Sequence, residues 1–228
     1  MFPVSDVIPS RTRPLVTIGL IAINALAFVY ELRLDTRELR VLSYEYGVVP
    51  AMFTWPSLIS SLFLHAGWVH LGGNMLYLWI FGDNVEDRLG HVRYLLFYLA
   101  AGATAALVHV AVNPHSTVPM IGASGAVAAV MGAYFVLYPR SRVLTAVFVV
   151  FFLDLVEIPA IFFLGIWFLM QLFSGVGSIG AEAADGAVAF FAHVGGFAAG
   201  LLTGAYCRIR DQSLRRYWLP SQEKGERL

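Results

Sequence analysis

Residues 186–206 read GAVAFFAHVGGFAAGLLTGAY, an apolar run with a single histidine at position 193 and glycines at 196, 200 and 204. A helix rises about 1.5 Å per residue, so about 20 apolar residues span the hydrocarbon of a bilayer. Small residues every four positions lay a flat stripe along one helix face, against which another helix can close. The stretch therefore reads as a tightly packed transmembrane helix. Its histidine is costly in lipid unless it faces a cavity or a partner.

The rest of the 228-residue chain has the same character: 58% of its residues are hydrophobic, 13% are charged, and mean hydropathy is +0.71. That is far more apolar than a soluble domain requires. Formal net charge is zero, so there is no electrostatic footprint for nucleic acid. The single cysteine, Cys207, cannot form an intramolecular disulfide and reads as a packing residue. Met1 to Arg13 lacks an apolar core, so the run that follows is expected to be a retained first span rather than a cleaved signal.

Six apolar spans are expected, at roughly 14–32, 60–82, 92–112, 121–138, 144–173 and 186–206. The fold class is thus all-α, a six-helix membrane bundle over 14–206 with tails at 1–13 and 207–228. The fifth span is interrupted by Asp154, Glu157 and Pro159. Residues 143–158 are read either as lying at the interface or as a broken helical lead-in, with the true crossing starting near Pro159. Arg33 to Ser57 reads as partly interfacial. With the N-terminus inside, twelve of the fifteen basic residues fall on the inner side, and only Arg33, Arg37 and Arg40 fall outside. Cytoplasmic loops carry the excess of lysine and arginine, so both termini are expected in the cytoplasm.

Polar side chains within the spans then mark the chemistry. His65, His70 and Asn74 stand in the second span, Ser124 in Gly122-Ala123-Ser124-Gly125 of the fourth, and His193 in the sixth. All three spans start outside. With outer helix ends near residues 66, 121 and 187, Ser124 lies roughly 5 Å deep, His70 roughly 6 Å, His193 roughly 9 Å and Asn74 roughly 12 Å. A hydroxyl becomes a useful nucleophile once a base takes its proton, which assigns Ser124 to attack and His193 to general base. His70 and Asn74, spaced i, i+4, share a helix face and can donate together to an oxyanion. Gly122 and Gly125 leave room for a substrate backbone. Gly125, Ala129 and Gly132 would face the glycines of the sixth span.

Taken singly, each residue has a plainer role: a serine in a membrane helix commonly bonds its own backbone, and small residues occur wherever such helices pack. Joint placement at one depth carries the reading. His65 and His70 lie about 140° apart around a helix and no cysteine or acid completes a set, so no metal and no cofactor is expected. His91, His109 and His115 read as loop or interface residues. No carboxylate is placed to orient His193: Asp185 is roughly 12 Å higher along the helix, and Asp154 and Glu157 enter from the inner side.

These motifs, in this order, resemble the rhomboid protease family from about Tyr46 to Tyr206. The resemblance rests on His65-Ala66-Gly67-Trp68-Val69-His70-Leu71-Gly72-Gly73-Asn74, on Glu86-Asp87-Arg88, on Gly122-Ala123-Ser124-Gly125, and on His193-Val194-Gly195-Gly196-Phe197-Ala198-Ala199-Gly200. It implies a six-helix core, an outward-opening aqueous cavity, a Ser-His dyad without an acid, and cleavage of transmembrane protein substrates near the membrane surface. Placement in a plasma membrane of bacterial type is the matching expectation. Two positions depart from the family pattern: Ala128 stands where an aromatic residue commonly stacks on the histidine, and Pro56 follows Trp55 where arginine is common. The alternatives are a catalytically inactive rhomboid-like binder of membrane proteins, which would typically lack the serine or histidine, and a small transporter, which would need polar groups through the full bilayer thickness.

Overall fold

The computed structural model describes residues 2–149, 152–177 and 189–218. Among the described residues there are eight α-helices: α1 (Leu15–Glu31), α2 (Thr36–Tyr46), α3 (Ser57–Ser60), α4 (Trp68–Leu89), α5 (His91–Val112), α6 (Ser124–Leu137), α7 (Ala160–Gly177) and α8 (Phe190–Trp218). Three strands accompany them: β1 (Phe2–Asp6), β2 (Arg142–Val149) and β3 (Phe152–Pro159). Of the helices, α5, α7 and the segment Phe190–Asp211 of α8 are long and apolar enough to cross a bilayer. The helices α1 and α6 are apolar but shorter, and α4 carries Asp83, Glu86, Asp87 and Arg88 in its final turns.

The helix expected over 60–82 begins later than its apolar run suggests. Residues 57–63 form the short α3 and a 3-10 turn, Leu64 is extended, and α4 starts only at Trp68. The apolar residues before it fold under the bundle: Leu58, Leu62 and Leu64 are buried.

The all-α expectation is corrected by a three-stranded antiparallel sheet, ordered β1-β2-β3. Residues 143–158 are not a broken helical lead-in: Val143 pairs with Ile158, Leu144 with Glu157 and Thr145 with Val156. The run alternates with β-branched residues at 143, 145, 147 and 149, which are stiff at χ1 and fit a pleated surface. Val143 and Thr145 are fully buried, while Asp154 and Glu157 are exposed, the latter paired with Arg142 at 2.8 Å. The helix that follows begins at Ala160, beside Pro159.

The N-terminal strand pairs along β2 and brings Asp6 to Tyr134. The Tyr134 hydroxyl donates to Asp6 Oδ2 at 2.6 Å and lies 2.9 Å from Ser141 Oγ, from which it can accept. Burial raises the Asp6 carboxyl to about 6.

Two devices set the helices in place. At the start of α1, where backbone N–H groups lack intrahelical acceptors, the carboxylate of Glu86 accepts from Val16 N–H at 2.9 Å and Thr17 N–H at 2.8 Å. It also accepts from Thr17 Oγ1 at 2.7 Å and meets His91 Nδ1 at 2.6 Å. This ties α1 to the turn between α4 and α5. The second device is the glycine stripe of α8. A Cβ at Gly196 would stand 2.0 Å from Gly125 O, one at Gly200 1.9 Å from Ala129 O, and one at Gly132 2.2 Å from Phe197 O. The helices α6 and α8 thus pack backbone against backbone, which only glycine permits here.

Candidate active site

Ser124 is the first residue of α6, and the chain reaches it through Gly122, whose φ of +119° belongs to a region that side chains disfavour. The Gly122 N–H donates to Ser61 O at 2.8 Å, and Met120 bridges to Val48 through N–H···O bonds of 2.9 and 2.8 Å. The approach to α6 is thereby pinned, and Ser124 begins its helix at a fixed position. His193 lies in the first turn of the described part of α8, 9% exposed, its N–H bonded to Ala189 O at 3.2 Å.

The close contact of α6 with α8 brings the two side chains together: Ser124 Oγ is 2.8 Å from His193 Nε2. The other ring nitrogen, Nδ1, is 2.7 Å from Gln171 Oε1. An amide oxygen can only accept, so in the neutral ring Nδ1 holds the hydrogen and Nε2 is left bare to accept from the serine hydroxyl. Gln171 therefore fixes the tautomer. One turn earlier on α7, the Trp167 ring lies 5.9 Å from the His193 ring between centroids, at 36°. Trp167 thus supplies the aromatic neighbour missing at Ala128.

His70 and Asn74 stand across Gly122. A Cβ at Gly122 would lie 2.6 Å from His70 Nε2 and 3.6 Å from Asn74 Nδ2, so both side chains face the backbone just before Ser124. The Ala66 N–H donates to His70 Nδ1 at 3.4 Å, which leaves the ring hydrogen on Nε2, on the Gly122 side. Asn74 Nδ2 is 3.0 Å from the Nε2 of buried His65, and one amide N–H remains for another acceptor. His65 is itself held by α1: its backbone N–H lies 3.2 Å from both carboxylate oxygens of buried Glu31. Gly125, the residue after Ser124, is committed to packing: a Cβ there would fall 2.7 Å from Ala105 Cβ.

The structure thus draws Ser124, His193, His70, Asn74 and Gly122 into one site and puts Gly125 at its packed back. Asp154 and Glu157 lie on β3, and Asp185 lies outside the described residues. Among the described residues no group of three or more His, Cys, Asp or Glu side chains is arranged to hold a metal ion. Sequence reasoning missed Gln171, Trp167 and Glu31. A glutamine inside an apolar span, four residues after a tryptophan, was the available signal.

Residues 53–210 match the family model described as Rhomboid domain. The chain belongs to the rhomboid family. It is 32% identical over 166 residues to Rhomboid protein 1, mitochondrial, of Saccharomyces cerevisiae, covering 70% of this chain and 44% of that one. To Rhomboid protease GluP of Bacillus subtilis it is 42% identical over 79 residues, 35% of this chain and 15% of the relative. To the human Presenilin-associated rhomboid-like protein, mitochondrial, it is 28% identical over 128 residues, 54% and 33% of the respective chains. The matched region spans less than half the length of each of these rhomboid relatives.

Proposed function

We propose that this rhomboid is an intramembrane serine endopeptidase that cuts transmembrane segments of other membrane proteins. The observation that carries this reading is the 2.8 Å contact of Ser124 Oγ with a His193 Nε2 left bare by the bond of Nδ1 to Gln171. In the first step the Ser124 oxygen attacks the scissile carbonyl carbon while its proton passes to Nε2. The carbonyl oxygen becomes an oxyanion, met by His70 Nε2–H, the free Asn74 N–H and the backbone N–H groups of the first turn of α6. The Nε2 proton then goes to the departing amine, the C–N bond breaks, and an ester to Ser124 remains. Water, deprotonated by His193, hydrolyses that ester and restores the serine.

Through these steps Gln171 holds the ring by its Nδ1–H, whose bond strengthens when the ring is cationic. No carboxylate is needed. A fixed charge in lipid would carry a desolvation cost that an amide avoids. Six crossings, by α1, α4, α5, α6, α7 and α8, with residues 1–13 and 207–228 in the cytoplasm of a bacterial-type cell, complete the proposal. The test is cleavage of a generic transmembrane substrate by purified protein in detergent. Wild type should cleave, and Ser124→Ala and His193→Ala should not. Cleavage by folded Ser124→Ala at the wild-type rate would overturn the reading.

A further inference from the structure

Away from the site, a cavity of about 630 Å3 opens between the end of α4, α5 and α8. The two long helices run antiparallel here, because Gly195 packs on Val108 near one end while Arg88 pairs with Asp211 near the other. Arg93 and Arg210 line the same end of the cavity, beside the Arg88–Asp211 pair. Beyond them the walls turn mostly apolar: Leu96, Phe97 and Ala100 from α5, Ala199 and the methyl-bearing Thr203 from α8. The hydroxyls of Thr104 and Thr203 donate to their own helix, to Ala100 O at 2.9 Å and Ala199 O at 3.0 Å, so neither calls for a polar ligand.

The length of the groove is informative. From Arg93 to Thr104 on α5, and from Arg210 to Ala199 on α8, the helical rise is about 16 Å, and half the hydrocarbon of a bilayer is about 15 Å. A slot with arginines at one end and an apolar floor as deep as one leaflet matches the length of a phospholipid and complements the charge of an anionic headgroup. We propose that it holds an acyl chain of an anionic phospholipid whose phosphate sits between Arg93 and Arg210, where basic side chains at a membrane surface attract negative headgroups. Tyr206, 65% exposed beside that mouth, is of the type that settles at the headgroup level. The proposal rests on the membrane placement of α5 and α8 and is independent of proteolysis.

Native mass spectrometry of the full chain, released from detergent after incubation with lipid, reads this site directly. Dioleoyl-phosphatidylglycerol should be retained about tenfold to thirtyfold over dioleoyl-phosphatidylcholine of the same chain length. Arg93→Ala combined with Arg210→Ala should abolish that preference. Ala100→Phe, which fills the slot and keeps the charge, should lower retention of both lipids. Equal retention of the two lipids by wild type would overturn the proposal without any variant. So would displacement by millimolar inorganic phosphate, which would mark a simple anion site. Unchanged phosphatidylglycerol retention in the folded double variant would do the same.

Discussion

Removing the Gln171 acceptor should lower turnover and leave binding alone. Its bond to His193 Nδ1 is 2.7 Å and half-buried, and it strengthens as the ring becomes cationic during the attack. A hydrogen bond to a charged group contributes about 1.5–3 kcal/mol, which converts to a loss of about tenfold to 150-fold in kcat. Gln171→Met keeps length and apolar contact but has no oxygen, so it should fall in that range with KM unchanged. Gln171→Glu, with a carboxylate oxygen in the same place, should retain most of the rate. Steady-state kinetics on a transmembrane substrate, with melting temperatures as the control for folding, separates the cases. Wild-type kcat in Gln171→Met, or equal losses in the Met and Glu variants, would refute the assignment of Gln171 as the residue that holds the histidine.

His70→Ala and Asn74→Ala should each lower kcat by about tenfold to a few hundredfold, and the double variant should lose less than the product because both donors serve one oxygen; multiplicative losses in kcat would argue against a shared acceptor. Gly200→Ala should cost more stability than the ~1–3 kcal/mol typical of overpacking, seen as a sharp fall in melting temperature, because its Cβ would meet Ala129 O at 1.9 Å and backbone cannot swing aside. Gly19→Ala, with nothing within 4 Å, should be neutral or stabilising, and similar melting for the two variants would contradict the packing described. For Asp6, whose folded carboxyl titrates near 6 against an ordinary value of 3.8, the native state binds more protons between those values. Wild type should therefore lose stability relative to Asp6→Asn as pH rises from about 4 to 6, and a pH-independent difference in melting temperature would contradict that coupling.

Much of the candidate site is legible in the sequence because its residues are the costly ones. A serine, two histidines and an asparagine in apolar spans stand out against lipid, and i, i+4 spacing places His70 and Asn74 on one face. The glycine repeat at 196, 200 and 204 foretold the closeness of α6 and α8. Gln171 is also a polar residue in an apolar span, but it belongs to no motif, and only tertiary packing turns it towards His193. Of the two readings of residues 143–158, interfacial segment or broken helical lead-in, the hairpin overturns the helical one, which a long apolar run suggests by length. Its β-branched alternation is a weaker signal than its hydropathy, and its partner strand lies more than a hundred residues away at the N-terminus. The late start of α4 was concealed likewise, since buried Leu62 and Leu64 look like lipid-facing residues until Gly67 breaks the run.

The central claim is that His193 activates Ser124. A fluorophosphonate probe, which reacts only with activated serine nucleophiles, tests it before any substrate is known. Incubated with purified protein and mapped by peptide mass spectrometry, it is expected to modify Ser124 alone. Labelling should vanish in Ser124→Ala and fall to near background in His193→Ala. Labelling of wild type at another serine, or undiminished labelling of folded His193→Ala, would contradict the account.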